Sequence, residues 1–189
     1  EQLDIGPERD AVAEFDPARP WEVLHGPNLW PAQVPQLRPA AVEWMDRLQV
    51  VGLRLLRAWA ESLGAPADFF DEAFAHPDPL LKIVRYPGHD RSVTDQGVGS
   101  HKDVGALTLL YPEPGSTGFQ VQRDGAWFEV DPLPGHLLVN IGELLEVATG
   151  GYLTATVHRV EPPSTGTDRV SLPFFLNPAL DKALPTLPL

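Results

Sequence analysis

The sequence predicts a mainly β domain with supporting helices, a double-stranded β-helix or jelly roll backed by a long helix in its N-terminal half. Three observations carry this. The chain has 189 residues, 43% of them hydrophobic, enough for one domain with a sizeable core. A 25-residue stretch before residue 64 has helical periodicity. After residue 78 the pattern turns to short β-branched and aromatic runs punctuated by glycine and proline.

Residues 1–38 are rich in proline and aromatic residues (Pro17, Pro20, Trp21, Pro27, Trp30, Pro31, Pro35) and hold neither period, so they read as an irregular segment whose tryptophans plug it to the core. The acidic, turn-rich opening EQLDIGPERD leads us to expect that a longer protein's N-terminal region precedes it. From Pro39 to Leu63 the residues Val42, Met45, Leu48, Leu55, Trp59 and Leu63 recur at helical spacing, with proline in the first turn and Gly64 as the stop. At 1.5 Å per residue such a helix is about 38 Å long and braces one side of a domain. A shorter helix is expected over Ala67–Phe74.

Eight strands are expected, over 80–86, 98–103, 106–111, 118–122, 126–130, 136–141, 154–161 and 169–176. Asp124-Gly125 is a tight hairpin turn between the fourth and fifth, and a short helix, Glu143–Thr149, interrupts the series. We divide the chain into a supporting segment with helices (1–78), a jelly-roll core (79–178) and a tail (179–189), all in one domain.

Charge and composition narrow the function. Fourteen basic residues against 26 acidic ones give a net charge of −12, which argues against nucleic acid or an anionic membrane surface as partner. No run approaches the roughly 20 apolar residues needed to cross a bilayer. The expectation is a cytoplasmic protein acting on a small molecule, with no signature of oligomeric state. Cysteine is absent, so a metal here must sit on nitrogen and oxygen, a ligand set that suits iron, manganese or zinc.

Two segments offer such ligands. In GVGSHKDVGALTLLY, His101 and Asp103 stand two positions apart at a strand end, so both side chains leave one face and can share an ion. A histidine and a carboxylate fill two of three positions on one face of an octahedral metal. In TATVHRVE, His158 offers the third, 55 residues after Asp103. Taken alone, H-x-D is a weak signal that many solvated strand ends carry by chance. Arg169 and Ser171 share one face of the apolar strand RVSLPFF, and a guanidinium there calls for an anion. The anion is either a ligand carboxylate gripped bidentately or a protein carboxylate at the sheet edge. His25, His76, His89 and His136 lack matching partners and read as surface or structural, and Arg159 should face away from His158 across their strand.

The ordered set RYPG, GVGSHKDVGALTLLY, GFQVQRDGAWFEV, PGHLLVNIGELLEVATGG, TVHRV and DRVSLPFFLNP closely resembles the isopenicillin N synthase-like branch of the iron(II)- and 2-oxoglutarate-dependent oxygenases. The similarity runs through residues 80–178. It implies that His101, Asp103 and His158 ligate Fe(II), and that Arg169 and Ser171 bind the distal carboxylate of the co-substrate 2-oxoglutarate. Tyr86 matches the tyrosine that commonly joins them, against the plainer reading of a strand-edge residue with a wet hydroxyl. Lys82 and Val84 fall on the same strand face, where Val84 departs from the asparagine frequent in plant members. The reaction implied consumes O2 and 2-oxoglutarate, releases succinate and CO2, and hydroxylates, desaturates or cyclises a substrate. Two rival readings are an iron-dependent oxidase of the same branch that does not use 2-oxoglutarate, and a jelly-roll binding module without catalysis.

Overall fold

The computed structural model describes residues 1–87, 97–163 and 168–187. Among them, strands β1 (Gln2–Ile5), β2 (Leu80–Tyr86), β4 (Leu107–Pro112), β7 (Leu138–Ile141) and β9 (Arg169–Leu176) form one sheet in the order β1-β2-β9-β4-β7. Strands β3 (Val98–His101), β5 (Phe119–Arg123), β6 (Ala126–Glu129) and β8 (His158–Val160) form a second, in the order β3-β8-β5-β6. All their pairings are antiparallel. The sheets face each other across a small apolar cluster of Leu110, Phe119 and Val160, the jelly-roll arrangement expected from the strand series.

Helix α1 (Leu37–Ser62) covers the outer face of the five-stranded sheet. The buried stripe is Ala41, Met45, Leu48, Gly52, Leu56 and Ala60, and Met45 and Leu48 alone were in the stripe read from the sequence. Half of the stripe is small, and at Gly52 the helix rides close to the sheet: a Cβ there would lie 2.8 Å from Leu176 Cδ2. Alanine and glycine carry little hydrophobic signal, so that half escapes a periodicity reading. The second helix shrinks to one 3-10 turn, Asp71–Phe74.

Strand β9 shows how one sequence serves two faces. Phe174 and Leu176 point outward into the core under α1, while Arg169, Ser171, Pro173 and Phe175 point inward. Pro173 has no N–H to give, and pairing with β2 holds at Leu81↔Phe174 and Val84↔Ser171 but not at the residues between. Phe174 is fully buried, so Phe174→Ala is expected to cost about 3–5 kcal/mol. Thermal denaturation should show Tm lower by about 10 °C; a fall under about 2 °C would contradict the packing described.

Gln2–Ile5, read as irregular, is a strand paired with β2 from Gln2↔Val84 to Ile5↔Leu81. Leu3 and Ile5 alternate with Gln2 and Asp4, but four residues are too short a run to stand out from a turn-rich segment. Trp30 does plug its segment to the core, with its indole N–H donating to Glu8. The hairpin at Asp124-Gly125 has positive φ at both residues, 52° and 79°, the backbone that a two-residue turn between right-twisted strands requires.

Candidate active site

The antiparallel register of β3 with β8 sets His101 opposite His158, their ring centroids 4.3 Å apart. Asp103 lies just past the end of β3 instead of within the strand, yet its side chain still meets both rings. Asp103 Oδ1 is 3.5 Å from His101 Nε2 and 3.6 Å from His158 Nε2, and one ligand atom from each residue falls within 4.8 Å of the others. Among the described residues this is the group of histidine and carboxylate side chains placed to hold a metal ion.

Backbone carbonyls fix how the imidazoles present themselves. His101 Nδ1 donates to Gly99 O at 2.8 Å and His158 Nδ1 donates to Thr156 O at 2.9 Å. A carbonyl only accepts, so Nδ1 carries a proton in both rings and Nε2 is the atom turned toward Asp103, free to carry a proton or to ligate an ion. The carboxylate is fixed the same way, Oδ2 accepting from Thr108 Oγ1 at 2.5 Å and Asn140 Nδ2 at 2.7 Å. Oδ1 is left for the shared centre.

Burial pushes the Asp103 carboxyl up, but the hydrogen bonds from His101, Thr108 and Asn140 outweigh it and leave its pKa at about 2. Through the hydrogen bond with Asp103, the His101 imidazole is pushed up in turn. The trio is therefore a cation site, satisfied by a proton or by a metal ion. Two nitrogens and one carboxylate oxygen on one side, with His101 exposed and the other two buried, fit an octahedral iron(II) whose remaining positions stay open to ligands.

The second cluster lies on the facing sheet. Arg169 is 3% exposed, and its Nε and Nη1 have no hydrogen-bond partner among the described residues. Burial pushes the guanidinium pKa down. Tyr86 is its register partner across β2 and β9, with the ring centroid 5.1 Å from Arg169 Cζ. Burial raises the Tyr86 pKa, against a hydrogen bond with Ser171, itself buried. A buried guanidinium with two idle donors is costly, and a carboxylate placed between it and the two hydroxyls would satisfy all three residues.

Both clusters line one cavity of about 180 Å³, whose remaining wall is largely apolar and includes Val84, Leu110, Phe119, Pro173 and Phe175. All six residues singled out in the sequence thus meet at one place. Thr108, Asn140 and Gln2 also line it and escaped the sequence reading. The signal for Asn140 was available: a polar residue within the apolar run LLVNIG raises the same question as Arg169 in its strand. Of the other histidines, His136 is exposed and bonded to Pro134 O, His25 and His76 lie outside the cluster, and His89 lies outside the described residues. Arg159 faces away as expected, bonded to Gln120 and Glu161 and stacked 4.3 Å over Trp127.

Residues 77–178 match the family model of the 2OG-Fe(II) oxygenase superfamily. A similar relative is 2-oxoglutarate-dependent dioxygenase frbJ from Dothideomycetidae sp. (strain 11243), 34% identical over 187 residues that cover 96% of this chain and 50% of the relative. The crystal structure of JOX2 in complex with 2OG, Fe and JA superposes with a TM-score of 0.77 at 33% identity, covering 85% of this chain and 47% of that one. A full-length Neurospora crassa protein crystallised in complex with alpha-KG gives a TM-score of 0.82 at 26% identity, covering 96% and 55%. The chain spans about half the length of these relatives. With a family match over more than half of its residues, and in keeping with the motif order read from its sequence, the chain belongs to the 2OG-Fe(II) oxygenase superfamily.

Proposed function

We propose that the chain is the catalytic part of an iron(II)- and 2-oxoglutarate-dependent oxygenase that oxidises a C–H bond of a small molecule, with residues 79–178 as its catalytic core. In this reading His101, Asp103 and His158 hold the iron, while Arg169, Ser171 and Tyr86 hold the distal carboxylate of 2-oxoglutarate. The observation that carries it is the meeting, in one cavity, of a cation site and a buried guanidinium with two unpartnered nitrogens. A net charge of −12 supports a small-molecule substrate over a nucleic acid. No helix among the described residues is long and apolar enough to cross a membrane. A cytoplasmic setting, where 2-oxoglutarate is a common metabolite, goes with this reading.

When bound, iron(II) supplies the activation of O2, coupling decarboxylation of 2-oxoglutarate to succinate and CO2 with hydroxylation, desaturation or ring closure of the substrate. The protein's own part is placement and charge. The Nδ1–H bonds to Gly99 O and Thr156 O hold both Nε2 atoms toward Asp103 Oδ1, and Thr108 and Asn140 keep that carboxylate turned inward. Arg169 brings one positive charge and a planar fork, with the Ser171 and Tyr86 hydroxyls as further donors. Two charges from iron and one from Arg169 would balance Asp103 and the 2-oxoglutarate dianion, and the further cation in the wall, Lys82, is paired with Asp4. The apolar wall also limits water near the reacting groups.

Anaerobic addition of 2-oxoglutarate to the iron(II)-loaded protein is expected to produce a visible charge-transfer band, with succinate released on admitting O2. Iron binding without the band would favour an oxidase of the same branch that needs no 2-oxoglutarate. Failure to consume O2 with any candidate substrate would favour a binding module.

A further inference from the structure

The proposed metal ligands arrive on two segments. Among the described residues, strands β3 and β8 pair at Val98↔Val160 and His101↔His158, with an irregularity between, and β8 is three residues long. Beside them runs α2 (Glu143–Ala148), packed so tightly on the Asp103 side that a Cβ on Gly142 would collide with Gly105 O. The Glu143 amide donates to Asp103 O at 2.8 Å, and the Leu144 amide is shared between Val104 O and Gly105 O, each at 3.2 Å.

One side chain of α2 reaches both ligand segments. Lys102, between His101 and Asp103, places Nζ 2.9 and 3.1 Å from the two carboxylate oxygens of Glu146. Glu146 Oε2 also accepts the Ala155 N–H at 2.6 Å. Ala155 directly precedes Thr156, whose carbonyl orients His158. This carboxylate links the side chain of Lys102, which stands between the first two ligands, to the backbone N–H of Ala155, three residues before the third.

We infer that Glu146 is a positioning residue for the metal, holding the His101–Asp103 segment and the His158 segment at the spacing that lets three donor atoms share one ion; the inference rests on the metal assignment made above. As a stabilising ion pair it counts for little, because Lys102 and Glu146 are each about a quarter exposed and such pairs are screened by water and salt. Its effect falls instead on ligand spacing, where groups behind the ligands typically change metal affinity about 10–100-fold.

The test measures metal uptake by the apoprotein, by anaerobic titration of Fe(II), and of Co(II) as a coloured probe, against a chromophoric chelator. Glu146→Ala is expected to weaken binding of both ions about 10-fold or more and to alter the visible Co(II) spectrum. Glu146→Gln keeps an acceptor for the Ala155 N–H but loses the ion pair, so it should fall between Glu146→Ala and wild type, as should Lys102→Met. A surface ion pair with a merely structural role predicts a lower Tm with unchanged affinity and spectrum, and that result for Glu146→Ala overturns the inference. If Glu146→Ala does not fold, Glu146→Gln and Lys102→Met decide, and binding within twofold of wild type by both overturns it. A wild-type chain that takes up neither ion sinks the metal assignment and this inference together, whereas tight wild-type binding beside an unaffected Glu146→Ala sinks the inference alone.

Discussion

Asp103→Ala should remove measurable turnover, a fall of about 1,000-fold or more, equivalent to roughly 4 kcal/mol of lost transition-state stabilisation. The substitution deletes the oxygen facing both Nε2 atoms and leaves Thr108 Oγ1 and Asn140 Nδ2 pointing at an empty space. His101→Ala is expected to behave alike, since it removes one of the three donors. Two measurements are needed, because any metal enzyme loses activity with its ligand: bound iron per chain, and succinate released per 2-oxoglutarate consumed. Iron retained at wild-type affinity in either variant, or full turnover, would remove the metal assignment.

Arg169→Ala is expected to act on 2-oxoglutarate and not on iron. A fork of charge-assisted hydrogen bonds in a buried site is worth about 3 kcal/mol, so the KM for 2-oxoglutarate should rise about 100-fold, with kcat recovered at saturation. Arg169→Lys keeps a charge but not the planar geometry and should recover only part of the loss. Stability separates the two readings of this residue. A guanidinium paired with a protein carboxylate would leave that carboxylate stranded on truncation and lower Tm. With Nε and Nη1 idle, Arg169→Met should hold or raise the Tm of the ligand-free protein while abolishing the stabilisation that 2-oxoglutarate gives the wild type. A Tm drop of several degrees with an unchanged KM would contradict the anion site.

The site was legible in the sequence because its side chains are chemically out of place. An arginine inside RVSLPFF and a histidine-carboxylate pair ahead of GALTLLY have to be explained by something besides packing, and the order of the motifs restricted the explanations further. Thr108 and Asn140 are as much a part of the arrangement, but a threonine in a strand is ordinary and a single asparagine has many uses. Strand positions were readable within a few residues; their partners were not, since period two gives a face and not a neighbour. The helix α1 was legible, but its buried face only in part: half of that stripe is Ala41, Gly52 and Ala60, small residues that a hydrophobic reading passes over, and at Gly52 the side chain of Leu176 leaves no room for a Cβ. Glu146 could not be found from sequence at all, because an acidic residue on a short helix looks like a solvated one until Lys102 and Ala155 are seen beside it.

The strand bearing Arg169 and Ser171 comes last in the core, yet it lies in the middle of its sheet, between β2 and β4. A chain leaving the ribosome therefore displays the open edges of β2 and β4 until β9 is threaded between them. The three proposed metal ligands are all synthesised before that segment, and the proposed carboxylate anchor, Arg169 with Ser171, is delivered with it. On the proposed assignment, capacity to retain the co-substrate is thus acquired only when β9 is seated, so a chain lacking it carries the metal-binding side chains without the means to fuel them.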